Sequence, residues 1–370
     1  MKMERQLPSG KSGREVGEKI SFCGTFCGKY RVLAGFVIAL TILTAAFAAT
    51  GIWRTTENGA AIFDGLRSYF DGEKTDASDQ SPAQNPPTED GKTDHETPPT
   101  EREDAVPNGA IPIVSMDLSC LSRGEAYFLN ETPYMPAVSV LLEKSLTLSC
   151  DADSSAPLVL IVHTHTVESY LDEGLSYVEG DLAALTYSAD AAENMLAVGK
   201  TLGEYLNRNG IPTLLCTVIH TGEGMSLQGS YGRAEESIRA YLQQYPSIQL
   251  VIDLHRDAVM TEDGEYVRSA LPSGDESLAQ VMAVVGTDCN GTEHGRWEDN
   301  LALALQLRRA MNEEVDGIGR PIYLRSSSYN QELAPYSLLL EIGTGGNSLE
   351  QAKRTAEVVG SALVKLFIKD

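Results

Sequence analysis

Two histidines one residue apart, His163 and His165, follow the apolar run Pro157 to Val162, and Glu168 comes three residues after the second. Another apolar run, Leu250 to Leu254, ends on His255 and continues into Arg256 and Asp257, while Leu338 to Leu340 ends on Glu341. Imidazole and carboxylate are donors that zinc accepts, and a catalytic site takes about three of them, leaving one position open. The H-x-x-E spacing brings His165 and Glu168 to one point if the chain turns sharply after a strand, and His255 from another strand completes three. Singly these are weak signals, because a histidine at a strand end is more often structural and H-x-x-E arises by chance. Three strand ends supplying His, His and Glu form a much narrower pattern.

The elements that must position these groups alternate in type. Short strands are expected at Ala110 to Leu118 and Ala126 to Leu129, and a helix at Met135 to Leu146. After the strand ending at Val162, Ala189 to Asn209 carries Met195, Leu196, Val198, Leu202, Tyr205 and Leu206 at helical spacing, with Gly210 in the position of a C-terminal cap. Strands follow at Ile211 to Val218, Gln249 to Leu254, Ala279 to Gly286, Ile322 to Leu324 and Ser337 to Ile342. Helices are expected at Tyr231 to Tyr245, Asn300 to Glu314 and Ser348 to Phe367. This alternation predicts an α/β fold with a mostly parallel, twisted sheet flanked by helices. In such sheets ligands bind at the carboxyl ends of strands, where His163, His165, His255 and Glu341 all fall.

Composition divides the 370 residues further. Residues 1–31 carry seven Lys and Arg against three Glu, and residues 32–53 form an apolar run long enough to cross a bilayer, with Trp53 at its outer edge. The basic flank orients a single-pass anchor with its N-terminus in the cytoplasm and everything beyond Trp53 outside. A cleaved signal peptide is the competing reading of Ala45 to Ala49. Residues 54–108 then read as an acidic, Pro-rich linker, with eleven acidic and three basic residues between Asp71 and Asp104. Residues 109–156 form a lead-in subregion, and 157–370 the catalytic domain. The net charge of −23, with no Lys/Arg stripe, argues against nucleic acid as a partner. Cys23 and Cys27 precede the span, and Cys120, Cys150, Cys216 and Cys289 read as small core residues rather than a disulfide framework. His220 and His294 have no partner pattern and are expected on the surface.

The segments VLIVHTHTVESY, ENMLAVGKTLGEYL, GSYGRAEESI, VIDLHRDA, DNLALALQL, YNQELAP and LLLEIGTGGNSLEQA together resemble the stage II sporulation protein P family, from about Ala110 to the C-terminus. That family is similar in its core to zinc-dependent N-acetylmuramoyl-L-alanine amidases. The resemblance implies a cell-wall hydrolase of the septum that removes stem peptides from peptidoglycan during engulfment, with an endopeptidase activity as well. Implied partners are peptidoglycan, the membrane, and the stage II sporulation proteins D and M. It implies Zn²⁺ held by His165, Glu168 and His255, with Glu341 as general base. Arg256 either stabilises an oxyanion or pairs with Asp257. His163 competes with His165 as ligand, and Asp190 or Glu193 with Glu168. Asn330-Gln331-Glu332 either lines the cleft or forms a surface loop, and Ser230, Tyr231 and Arg233 either contact substrate or start a helix. Two other readings stand beside this one: a zinc peptidase acting only on peptide crosslinks, and a metal-free amidase-fold module that recruits or activates a hydrolase.

Overall fold

The computed structural model describes residues 106–119, 127–150, 155–222, 224, 225 and 227–368. The expected membrane span at 32–53, almost all of the acidic linker, and Cys23, Cys27 and Cys120 therefore lie outside the described residues. Among the described residues, no helix is long and apolar enough to cross a membrane.

Along the chain run β1 (Ile111–Met116), β2 (Phe128–Asn130), α1 (Val138–Leu142), β3 (Val159–Val162), β4 (Tyr177–Val178), α2 (Leu182–Leu185), α3 (Met195–Arg208) and β5 (Thr213–Leu215). They are followed by α4 (Ser230–Gln244), β6 (Leu250–Asp257), β7 (Tyr266–Ser269), β8 (Val281–Gly286), α5 (Trp297–Glu314), β9 (Ile322–Arg325), β10 (Tyr336–Thr344) and α6 (Leu349–Phe367). Seven strands form one sheet in the order β2-β9-β8-β10-β6-β3-β5, and β4-β1-β7 form a smaller one.

The α/β class is as the pattern predicts, but the mostly parallel sheet is corrected to a mixed one. β5, β3, β6 and β10 run one way, and β8, β9 and β2 run the other, because β8 pairs antiparallel with β10. A parallel return needs a crossover of about a dozen residues or more. Only residues 326–335 join β9 to β10, without a helix, so the chain reverses. The lead-in segment is woven into both sheets: β1 pairs with β4 and β7, and β2 extends the main sheet beside β9. Its expected long helix shortens to α1.

Strand alternation sorts the main sheet into two faces. Val159 and Ile161, Leu250, Ile252 and Leu254, and Leu338, Leu340 and Ile342 pack into the large core with α3, α5 and α6. Leu160, Val162 and Val251 pack against Ile238 of α4 on the opposite face. α3 starts on Asn194, whose side chain accepts from Leu196 N at 3.0 Å, and α6 starts on a Ser348–Gln351 capping box. Both caps hold helices whose apolar stripes close the larger core. Continuing the α4-facing row along β6 gives Asp253 and His255, and β10 places Glu341 in register with His255. Both chemistry-bearing residues thus lie within their strands, not just beyond them.

Candidate active site at the carboxyl ends of β3, β6 and β10

His163 is the last residue before the turn, and its parity sends it to the α3 face. It is 1% exposed, donates from Nδ1 to Leu254 O at 3.3 Å, and lies against Gly199 of α3. A Cβ at Gly199 would stand 2.6 Å from His163 Cε1, so α3 approaches the imidazole as closely as it does only through a glycine. Burial lowers the His163 pKa to about 4, so the ring is neutral at physiological pH. Thr164, of opposite parity, donates from N and Oγ1 to the two oxygens of Asp253 at 2.8 and 2.6 Å. Thr166 donates to His163 O and accepts from His220 N, closing a turn that presents His165 and Glu168 on the α4 side.

There the donors gather. The His165 and His255 rings stand edge to face with centroids 5.2 Å apart, and His255 Nδ1 lies 3.5 Å from Glu168 Oε2. His255 Nε2 is 3.1 Å from Asp253 Oδ1 but out of line for a hydrogen bond, so it joins His165 Nδ1 and Glu341 Oε2 as sealed atoms without hydrogen-bond partners. Burial alone would raise the Glu168 carboxyl, but Arg256 and His255 outweigh it and hold it at about 2. Burial likewise disfavours a charged His255, yet Asp253 and Glu168 raise its pKa well above the ordinary value. His165, with weaker compensation, is lowered by burial. The cluster thus attracts positive charge to a spot walled by imidazoles and ionised carboxylates. Among the described residues, no three His, Cys, Asp or Glu side chains already surround one point as a finished metal shell. The donors present match a divalent transition metal in kind: a neutral imidazole, a second imidazole and a deprotonated carboxylate, with unpartnered nitrogens on both rings.

Glu341 keeps partial exposure as a residue while its Oε2 is sealed. Burial pushes its carboxyl up to about 8, against the pull of His255 and with the push of Asp257 and Glu168. A carboxyl poised there can both take and return a proton near neutrality. Just beyond it the register of β10 against β6 slips between Glu341 and Thr344, with Gly343 at φ 71°. Such a bulge bends a strand and re-aims its neighbouring side chains.

Arg256, next to His255 and therefore of opposite parity, leaves the α4 face, and its guanidinium lies beside Glu168 on the segment that follows it. Its guanidinium donates to Ser169 O at 3.1 Å and Thr186 O at 2.9 Å and covers the Tyr187 ring at 5.0 Å. Asp257 pairs instead with Arg320 at 2.7 Å. Arg256 is therefore a clamp on the segment after Glu168, and the pairing with Asp257 expected of it is corrected. Its backbone N–H faces Glu168 Oε2 at 3.3 Å.

Of the competing ligands, Asp190 and Glu193 are exposed and hydrogen-bonded locally to Ala192 N and Ser188 Oγ, while Glu168 is the acid beside His255. The surface positions expected of His220 and His294 are corrected: both are 1% exposed. His220 donates from Nδ1 to His163 O and accepts from Ser237 Oγ, both at 2.9 Å, which ties the histidine turn to α4. Asp253 went unnoticed in the sequence, although D-x-H in a strand puts both side chains on one face. Tyr231, the second residue of α4, stands edge to face with His165, ring centroids 5.8 Å apart. In the 330–332 segment Gln331 is buried and bonds Val284 O and Gly286 N, and Asn330 donates to Tyr231 O. Cys150, Cys216 and Cys289 are free, with Cys289 exposed rather than in the core.

Comparison with known proteins bears on this arrangement. The stage II sporulation protein P of Bacillus subtilis (strain 168) is 28% identical over 243 residues, 61% of this chain, and the match spans 57% of that protein's length. Among solved structures, the amidase AmiC2 of Nostoc punctiforme is 14% identical with a TM-score of 0.31, covering 56% of this chain and 96% of that one. The CwlD amidase from Clostridioides difficile, solved in complex with the GerS lipoprotein, is 13% identical with a TM-score of 0.33, covering 56% and 94%. Overlaps of that depth carry no weight for this chain. The sequence family described as Stage II sporulation protein P (SpoIIP) matches residues 63–364, most of the chain, and the chain belongs to that family.

Proposed function

We propose that the chain is a membrane-anchored, zinc-dependent peptidoglycan hydrolase that opens the amide between N-acetylmuramic acid and the L-alanine of the stem peptide during sporulation. The observation that carries this reading is the convergence of His165, Glu168, His255 and Glu341 on one face of the sheet, with a sealed, unpartnered atom on His165, His255 and Glu341. Family membership supports the cell-wall setting.

His165, Glu168 and His255 would hold the zinc. When bound, such an ion supplies Lewis acidity, making water a better nucleophile at neutral pH and polarising the amide carbonyl. Glu341, held near neutrality, takes the proton from the attacking water and delivers it to the departing nitrogen. Asp253 orients Thr164 and, with Glu168, sets the charge on His255. His163 and His220 hold the turn without touching substrate.

In this reading residues 32–53 anchor the chain with its N-terminus in the cytoplasm, and the acidic linker lets the hydrolase reach the septal wall. The stage II sporulation proteins D and M are its expected partners. Digestion of purified peptidoglycan followed by mass spectrometry tests the activity. Glycan strands freed of stem peptides are expected from the wild type and not from Glu341→Gln. Release of cut crosslinks with every lactyl amide intact would replace the amidase reading by the peptidase one.

A further inference from the structure

The aromatic residues beside the cluster are held with unusual care. Tyr231 lies between His165, with ring centroids 5.8 Å apart, and Tyr329, at 5.6 Å. Its carbonyl accepts from Asn330 Nδ2 at 2.9 Å. Tyr329 and Asn330 both have positive φ, 55° and 60°. An aromatic side chain is rarely found in that left-handed region, and such conformations persist only where their surroundings enforce them. Here Gln331 enforces it, donating to Val284 O and accepting from Gly286 N, each at 2.9 Å. The result is to seat Tyr329 against Tyr231 and Tyr231 against His165.

The Tyr231 hydroxyl differs from those of Tyr170, Tyr323 and Tyr134. Tyr170 spends its hydroxyl on Ile342 O at 2.8 Å, Tyr323 on Glu131, and Tyr134 on Asp288. Among the described residues none hydrogen-bonds the Tyr231 hydroxyl, and it is not sealed from solvent. A phenol, with an ordinary pKa of about 10, carries its proton at neutral pH and can donate it in a hydrogen bond.

We propose that Tyr231 is a further catalytic residue of this site, its hydroxyl donating a hydrogen bond to the amide carbonyl oxygen as negative charge develops there. The proposal rests on the hydrolytic reading above. Water oxygen adds to the carbonyl carbon, and the carbonyl π pair moves onto the oxygen facing Tyr231. The pair then returns, the C–N bond breaks, and the nitrogen leaves with the proton carried by Glu341, giving one carboxyl and one amine. Tyr231 keeps its own proton throughout. A donor aimed at a developing oxyanion acts on the transition state more than on bound substrate, so its removal lowers kcat and leaves KM nearly unchanged.

The test is Tyr231→Phe in the full chain, which keeps the ring between His165 and Tyr329. New amino groups released from purified peptidoglycan give kcat and KM, mass spectrometry identifies the bond opened, and bound zinc and melting temperature are read on the same preparations. The expected result is a roughly hundredfold lower kcat, with KM within about twofold, and zinc content and melting temperature as in the wild type. A kcat within about threefold of wild type, or a fall matched by loss of zinc or of thermal stability, overturns the proposal. If the wild type opens peptide crosslinks instead of lactyl amides, the amidase reading fails alone, since every amide passes through the same oxyanion. A wild type that opens no amide overturns both.

Discussion

Alanine at Gly199 tests whether His163 packs as a structural wedge between β3 and α3. The added methyl would stand 2.6 Å from His163 Cε1 and 3.0 Å from Leu215 Cδ1, and the imidazole edge cannot retreat cheaply because Nδ1 is fixed on Leu254 O. One turn further along α3, a methyl at Gly203 would meet Ile161 Cδ1 at 3.5 Å and Thr213 Cγ2 at 3.8 Å, which is ordinary contact. Replacing a helix-interior glycine by alanine gains about 1 kcal/mol in either case. Gly203→Ala is therefore expected to stabilise by about 0.5–1 kcal/mol. At Gly199 overpacking of about 1–3 kcal/mol opposes the gain, leaving the variant between neutral and about 2 kcal/mol less stable. Urea denaturation reads the difference as a midpoint raised by Gly203→Ala and unchanged or lowered by Gly199→Ala, at unchanged slope. Adding His163→Ala to Gly199→Ala should recover at least about 1 kcal/mol relative to the sum of the single changes. Equal stabilisation by both alanines, or additivity in the pair, would refute the wedge and the placement of the histidine turn that depends on it.

Two further changes probe the same scaffold. Arg256→Lys keeps a positive charge near Glu168 but loses the fork that serves Ser169 O and Thr186 O, and should cost about 2 kcal/mol or more in urea denaturation; a change under about 0.5 kcal/mol would remove Arg256 as a clamp. The His163 pKa of about 4 in the folded chain lies below the ordinary 6.5, so the unfolded chain takes up the proton first. Its contribution, about 3 kcal/mol, is fully present above pH 6.5 and is lost as pH falls toward 4. His163→Gln should flatten the stability profile across that window, and an unchanged slope between pH 7 and 4.5 would contradict the assignment.

The sequence disclosed those parts of the site that strand periodicity governs. Long elements such as α3, α4, α5 and α6 carry enough apolar repeats to be seen, and DLHRD and LLLEIG place His255 and Glu341 on runs that are plainly buried. The second sheet was invisible because β4 and β7 are two and four residues long, and buried Arg268 in β7 disguises a core position as a surface one. The reversal of β8 against β10 depends on a connection without a helix, which the apolar pattern does not encode. Adjacency to His255 in sequence means opposite faces in a strand, so the Arg256 contacts with Ser169 and Thr186 are not legible from that adjacency. His220 and Tyr231 join the site only through the docking of α4, a contact that no local spacing reveals.

The most direct test of the central claim is zinc stoichiometry by elemental analysis of the purified wild type and of His165→Ala, His255→Ala and Glu341→Gln, each paired with peptidoglycan digestion. About one zinc per chain is expected in the wild type, since three donors and an open position make one catalytic site. That zinc should be lost in both histidine variants and retained in Glu341→Gln, with hydrolysis abolished in all three. A wild type that hydrolyses peptidoglycan without bound zinc, or histidine variants that keep both metal and activity, would contradict the account.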